Sequence, residues 1–170
     1  KIFEAKEQFA EALRESGLDY SIIRPNGYFS DMRDFLAMAK KGRIYLFGHG
    51  EYKLNPIHGA DLARYIIESR DTILKEPVVG GPDVLTQNEI ATLALQAWRR
   101  PVKISHLPDW TRRLLLSVMR RITSPKTYGP VEFFMTMMAQ DNIASRYGVH
   151  RLKHFFTTEV DQLNQSDHAH

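Results

Sequence analysis

Apolar residues in this chain follow two alternating periods, and that alternation constrains the fold more than any other feature. Ile2, Phe9, Ala12 and Leu13 recur among Glu and Lys at helical spacing, the pattern of a helix with one apolar face. Ser16-Gly17 ends it, because glycine accepts the left-handed conformation of a helix C-terminus. Asp19 to Arg24 is short and holds the pair Ile22-Ile23 before Pro25, which predicts a strand. A second helix is expected over Phe29–Lys41, with Phe35, Leu36 and Met38 inward. Ile44–Phe47 and Tyr52–Leu54 flank Gly48-His49-Gly50 and predict a hairpin.

The same alternation continues. A helix is expected over 60–70 and a strand over Pro77–Val79. Thr86 with Glu89 three residues on is a capping box opening a helix to about Arg99. A strand near Val102–His106 leads to a helix from Asp109 to Ile122. Pro125 and Pro130 predict a loop, followed by a helix over Val131–Ala144, and the polar stretch from Gln162 is expected to fray. Strands alternating with helices argue for the α/β class.

Composition removes several functions. The 170 residues are 43% hydrophobic and 25% charged, ordinary for a globular domain. No apolar run approaches the roughly 20 residues of a membrane-spanning helix. The chain has no cysteine, which excludes thiol catalysis, Cys-ligated zinc and iron–sulfur clusters and fits a reducing compartment such as the cytoplasm. The net charge of +3 is a small excess, and the dense basic group is Arg112, Arg113, Arg120 and Arg121, with Arg99 and Arg100 nearby. No aromatic platform accompanies it, so no nucleic-acid partner is predicted. His150 and His154 stand four apart, but Arg151 occupies the position where an HExxH zinc site needs Glu. No metal site is expected. The helix from Trp110 to Ile122 can rest on an anionic membrane or pack its apolar side inward. Inward packing is the expectation, and a membrane partner is not. Phe133, Phe134, Met135, Met137 and Met138 read as core, with an apolar substrate pocket as the alternative.

Three segments carry a family resemblance. The first is a helix bearing Lys6 followed by Ser16-Gly17-Leu18-Asp19-Tyr20-Ser21-Ile22-Ile23-Arg24-Pro25. The second is Asn55-Pro56-Ile57-His58-Gly59-Ala60-Asp61-Leu62-Ala63, and the third is Val78-Val79-Gly80-Gly81-Pro82 with a helix opening at Thr86. In this order they resemble the atypical and extended short-chain dehydrogenase/reductase superfamily, closest to its NmrA-like, NAD(P)-binding branch. The resemblance covers roughly Lys6–Trp98.

It implies the C-terminal part of a Rossmann-type NAD(P)-binding fold, without the N-terminal GxxGxxG half. Residues 1–100 would then complete the Rossmann-like domain, 101–160 form a helical substrate-side extension, and 161–170 a disordered tail. It implies Lys6 as the catalytic lysine and ribose ligand, since a nearby cation stabilises a phenolate. The tyrosine four positions before that lysine is replaced by Ile2. Pro25, Asn26 and Gly27 are implied at the cofactor, and Tyr28, Phe29 and His58 at the substrate. NADP or NAD would bind the full-length protein, and this portion alone would hold none. The expected function is an oxidoreductase or epimerase/dehydratase relative acting on a small molecule. A non-catalytic NAD(P)-sensing or scaffold role is the alternative. A sheet lacking neighbours leaves an open strand edge, so self-association covering that edge is expected.

Overall fold

The computed structural model describes residues 2–70 and 75–168. The first helix, α1 (Ile2–Glu15), leads into an extended segment whose last residues form β1 (Arg24–Pro25). Ile22, Arg24 and Asn26 donate their amides to the carbonyls of Lys75, Pro77 and Val79 at 2.8–2.9 Å. That every-second-residue pattern is parallel pairing, so the expected strand is present but its ladder is short. A 3-10 turn, Phe29–Met32, runs into α2 (Arg33–Lys40). Then come β2 (Ile44–Phe47), β3 (Lys53–Leu54), α3 (Gly59–Ser69), β4 (Val78–Gly80), β5 (Leu85–Thr86) and α4 (Gln87–Ala97). The chain continues through β6 (Ile104–Leu107), α5 (Asp109–Ile122), α6 (Pro125–Met137), β7 (Ser145–Arg146) and α7 (Leu152–His168).

Strands β1, β4 and β7 form a parallel sheet in that order. β2 pairs in parallel with β6, and β3 pairs antiparallel with β5. The expected hairpin between β2 and β3 is therefore absent. Gly48-His49-Gly50 does not reverse the chain but wraps around Asn88, which donates from Nδ2 to the His49 carbonyl at 2.9 Å and from its amide to the Gly50 carbonyl at 3.0 Å. With Ile44 and Leu46 buried and Tyr45 exposed, β2 is a half-buried strand whose partner lies sixty residues on.

The core lies between α2, α4 and α7. Phe35, Leu36 and Ala39 meet Ile90, Ala91, Ala94 and Leu95, with Leu152, Phe156 and Val160 closing the third side. The Trp98 indole donates to the Leu36 carbonyl at 3.0 Å, which satisfies its polar edge beside that core. The Thr86–Glu89 capping box opens α4 as the sequence predicts.

The C-terminal third departs most from expectation. Pro125 opens α6 instead of starting a loop, and Pro130 lies inside that helix. Proline suits the first helical turn because those amides have no helical acceptor, and Pro130 costs one further bond, to Lys126. In the polar stretch from Gln162, α7 continues through His168.

Candidate functional site

The strand end that the sequence marks is built from two buried asparagines. Asn55 is fully buried and makes four hydrogen bonds. Its Oδ1 accepts from Asn26 Nδ2 at 2.7 Å and from the Ala144 amide at 2.9 Å. Its Nδ2 donates to the carbonyls of Gly81 at 3.1 Å and Ala144 at 3.0 Å. Asn26 also donates to the Asn142 carbonyl. These bonds tie the ends of β1 and β4 to the segment entering β7. A Cβ on Gly80 would overlap the Asn55 side chain, and one on Gly81 the Pro56 carbonyl. The Gly80-Gly81 turn is thus glycine for close backbone approach.

The predicted residues divide accordingly. The Asn26 side chain is held by Asn55 and the Asn142 carbonyl. Gly27, at φ +81°, has nothing within 4 Å of where a Cβ would stand, and its carbonyl accepts from the Ile57 amide at 3.0 Å. Pro25 lies in the β1 ladder. Tyr28 is partly exposed, and its amide donates to Asp31 at 2.9 Å. Phe29 is only 3% exposed and packs in the core. It lies 5.5 Å, ring to ring, from both His58 and Phe155. Lys6 lies exposed on α1. Neighbouring Glu7 holds Arg24 at 2.6 Å, while Arg24 and Arg14 both reach Glu76.

His58 caps α3, its Nδ1 accepting from the Ala60 amide at 3.2 Å. It stacks on His150 with ring centroids 4.3 Å apart. Asp61, 1% exposed, accepts from the amides of Val149 and His150 at 3.0 Å and from His150 Nδ1 at 2.8 Å. His150 is therefore a partner of Asp61 and stands outside α7. Sequence reasoning missed this cluster because Gly148 and His150 belong to no motif.

Burial lowers the His58 pKa, and the neighbouring His150 lowers it further against the pull of Asp61. Burial works to raise the Asp61 pKa, but the hydrogen bonds from His150 and Val149 outweigh it and hold the carboxyl below its ordinary value. Both shifts cost stability on acidification. A histidine with a lowered folded pKa binds its proton first in the unfolded chain, so stability falls as pH drops from about 6.5 through the folded value. Asp61 contributes above its unfolded pKa, and that contribution is lost as pH falls from about 4 through the folded value. Urea midpoints measured against pH should show both declines, with the lower one shallower in Asp61→Asn. An unchanged lower limb in that variant would refute the assignment.

A cleft of about 1660 Å³ opens between α2, β2, β6, α5 and α6. Asp31, bonded to Tyr28, and Asp141, beside the Asn142 carbonyl that Asn26 holds, stand on its wall. The apolar lining includes Met38, Tyr45, Phe47, Phe133, Phe134 and Met138. Phe134 and Met138 also pack against the core, whereas Phe133 is 42% exposed. The α6 cluster is thus both core and pocket wall. His58 and Phe29 do not line the cleft. No group of three or more His, Asp or Glu side chains placed to hold a metal ion occurs among the described residues.

No protein-family profile matches the chain. It is 36% identical over 85 residues to the chloroplastic divinyl chlorophyllide a 8-vinyl-reductase of Cucumis sativus, covering 47% of this chain and 20% of that protein. It is 25% identical over 174 residues to the protein of the same name from Oryza sativa subsp. indica, covering 88% of this chain and 43% of that one. The chain therefore spans less than half the length of these curated relatives. A crystal structure of a nucleoside-diphosphate-sugar epimerase from Staphylococcus aureus superposes with a TM-score of 0.55 at 17% identity, covering 87% of this chain and 55% of the epimerase. The fold is that of the Rossmann-like epimerases and reductases. This agrees with the Rossmann-type α/β fold that the three motifs imply.

Proposed function

We propose that this chain forms the substrate side of an NAD(P)-dependent reductase acting on a bulky, largely apolar molecule. The large apolar cleft, whose wall residues Asp31 and Asp141 adjoin the segment after β1, carries this reading. Ligands of open α/β sheets sit outside the carboxyl ends of the strands, where Gly27 leaves the space on its Cβ side unobstructed. Gly27 and Tyr28 fit the nicotinamide end of a dinucleotide, and a bound nicotinamide would supply or accept a hydride. Lys6 would serve the ribose. The curated relatives are named for reducing the 8-vinyl group of divinyl chlorophyllide a, so that compound is the first substrate to test.

Titration of NADPH and NADH into the full-length protein containing this chain is the decisive experiment. Micromolar binding of one of them, weakened about tenfold by Gly27→Val, where a branched side chain would meet the ring and φ is positive, is the expected result. No binding of either dinucleotide would end the proposal. Ile2 at the position of the family's tyrosine favours one second reading, a dinucleotide sensor without turnover. Cofactor binding with no oxidation of NADPH in the presence of the chlorophyllide would select it.

A further inference from the structure

α5 buries none of its fourteen side chains. The apolar side that was expected to turn inward lies outward. Trp110, Leu114, Val118 and Ile122, spaced four apart, are 63%, 55%, 44% and 74% exposed, with Leu115 beside them. Spacing of four residues on a 3.6-residue turn keeps these side chains on one slowly drifting stripe. The same periodicity places Arg121 within the stripe and Arg113 and Arg120 along one edge. Arg112 points the other way, its side chain 13% exposed and bonded to Asp109 at 2.7 Å.

The charge of this region is one-sided. From Asp109 to Met138 the cations are Arg112, Arg113, Arg120, Arg121 and Lys126, and the carboxylates are Asp109 and Glu132. Asp109 is shared by Arg112 and Arg113, and Glu132 is held by Arg120 at 2.9 Å. The unbalanced charge beside the apolar stripe is positive. A second copy meeting this face symmetrically would set Arg113, Arg120 and Arg121 against their own counterparts, and like charges held close are unfavourable. An anionic bilayer accepts both parts of the face at once. Aliphatic side chains enter the acyl boundary, Trp110 sits at headgroup depth, and arginines extend to the phosphates.

We propose that α5 docks the chain onto the surface of an anionic lipid bilayer, through Trp110, Leu114, Val118 and Ile122 with Arg113, Arg120 and Arg121. The apolar cleft shares its wall with this region, through Asp109 and Arg112 of α5 and Val131 and Phe133 of α6. The docking does not depend on the cofactor reading and is tested without it.

The test is co-sedimentation of the chain with vesicles of phosphatidylcholine alone and with vesicles in which about one third is phosphatidylglycerol, a lipid of net negative headgroup. The chain should pellet with the anionic vesicles only, and Trp110 emission should shift to the blue. Raising salt to about 1 M should release it, because the Debye length then falls to about 3 Å. Leu114→Asp combined with Ile122→Asp, and separately Arg121→Glu, should each lower the bound fraction at least tenfold. All three positions are exposed, so circular dichroism and thermal midpoint should match the unsubstituted chain. Absence of vesicle binding would overturn the proposal, as would equal binding to neutral vesicles or wild-type binding by the variants. So would a stable dimer in light scattering that Ile122→Asp dissociates, which would assign the face to a second copy.

Discussion

Replacing Asn55 by alanine is expected to destabilise the chain by about 3 kcal/mol and to lower its thermal midpoint by roughly 10 °C. The side chain is fully buried and links three segments that are distant in sequence. Its loss leaves the Ala144 amide without this partner and removes donors from the carbonyls of Gly81 and Ala144. Each buried polar group left unpaired costs about 1–3 kcal/mol, and alanine offers nothing in exchange. The damage should be local first. Amide exchange should accelerate in Val78–Gly81 and in 142–147, while the α2–α4 core keeps its protection. A loss below about 1 kcal/mol, measured by urea denaturation, would show that water replaces the amide and that the network is not what joins these strands.

Gly148→Ala should cost more, about 4 kcal/mol, because two independent effects add. The residue has φ +94°, a conformation that side-chain-bearing residues reach only at about 1–2 kcal/mol. A Cβ would also overlap the Asp61 carboxylate, and that carboxylate is held by the next two amides and the His150 ring. The chain cannot relieve the overlap without lifting Val149 and His150 off a buried charge, which is itself penalised. Gly59→Ala supplies the contrast. Gly59 is the first residue of α3, with no positive φ and nothing within 4 Å of its Cβ position, so alanine there should change stability by less than about 1 kcal/mol. Equal effects at both positions would refute the claim that close approach to Asp61 requires Gly148.

These two sites show why the candidate site was only half legible. Asn55 and Asp61 stand in a motif, and the reading drew attention to their segment. Their partners Ala144, Val149 and His150 lie more than eighty residues later in a stretch of no recognisable pattern. A hydrogen bond across that distance leaves no local periodicity. The hairpin expectation failed for the same reason. Alternation in β2 announces a strand with one buried face, but not that its partner is β6. Gly50 serves the close approach of Asn88 as readily as it would serve a turn. Pro125 misled in the opposite direction, since proline both ends helices and begins them.

The sequence by itself determined the α/β class, the α4 capping box, the approximate span of α5 and the family resemblance. These rest on short-range spacing, cap chemistry and ordered motifs, which are written in neighbouring residues. The tertiary structure decided the strand pairing, the burial of Phe29, the Asp61–His150 cluster and the cleft. It also decided that the apolar stripe of α5 faces outward. Amphipathicity fixes that a helix has two faces, but only the positions of β2 and α6 decide which one the protein covers.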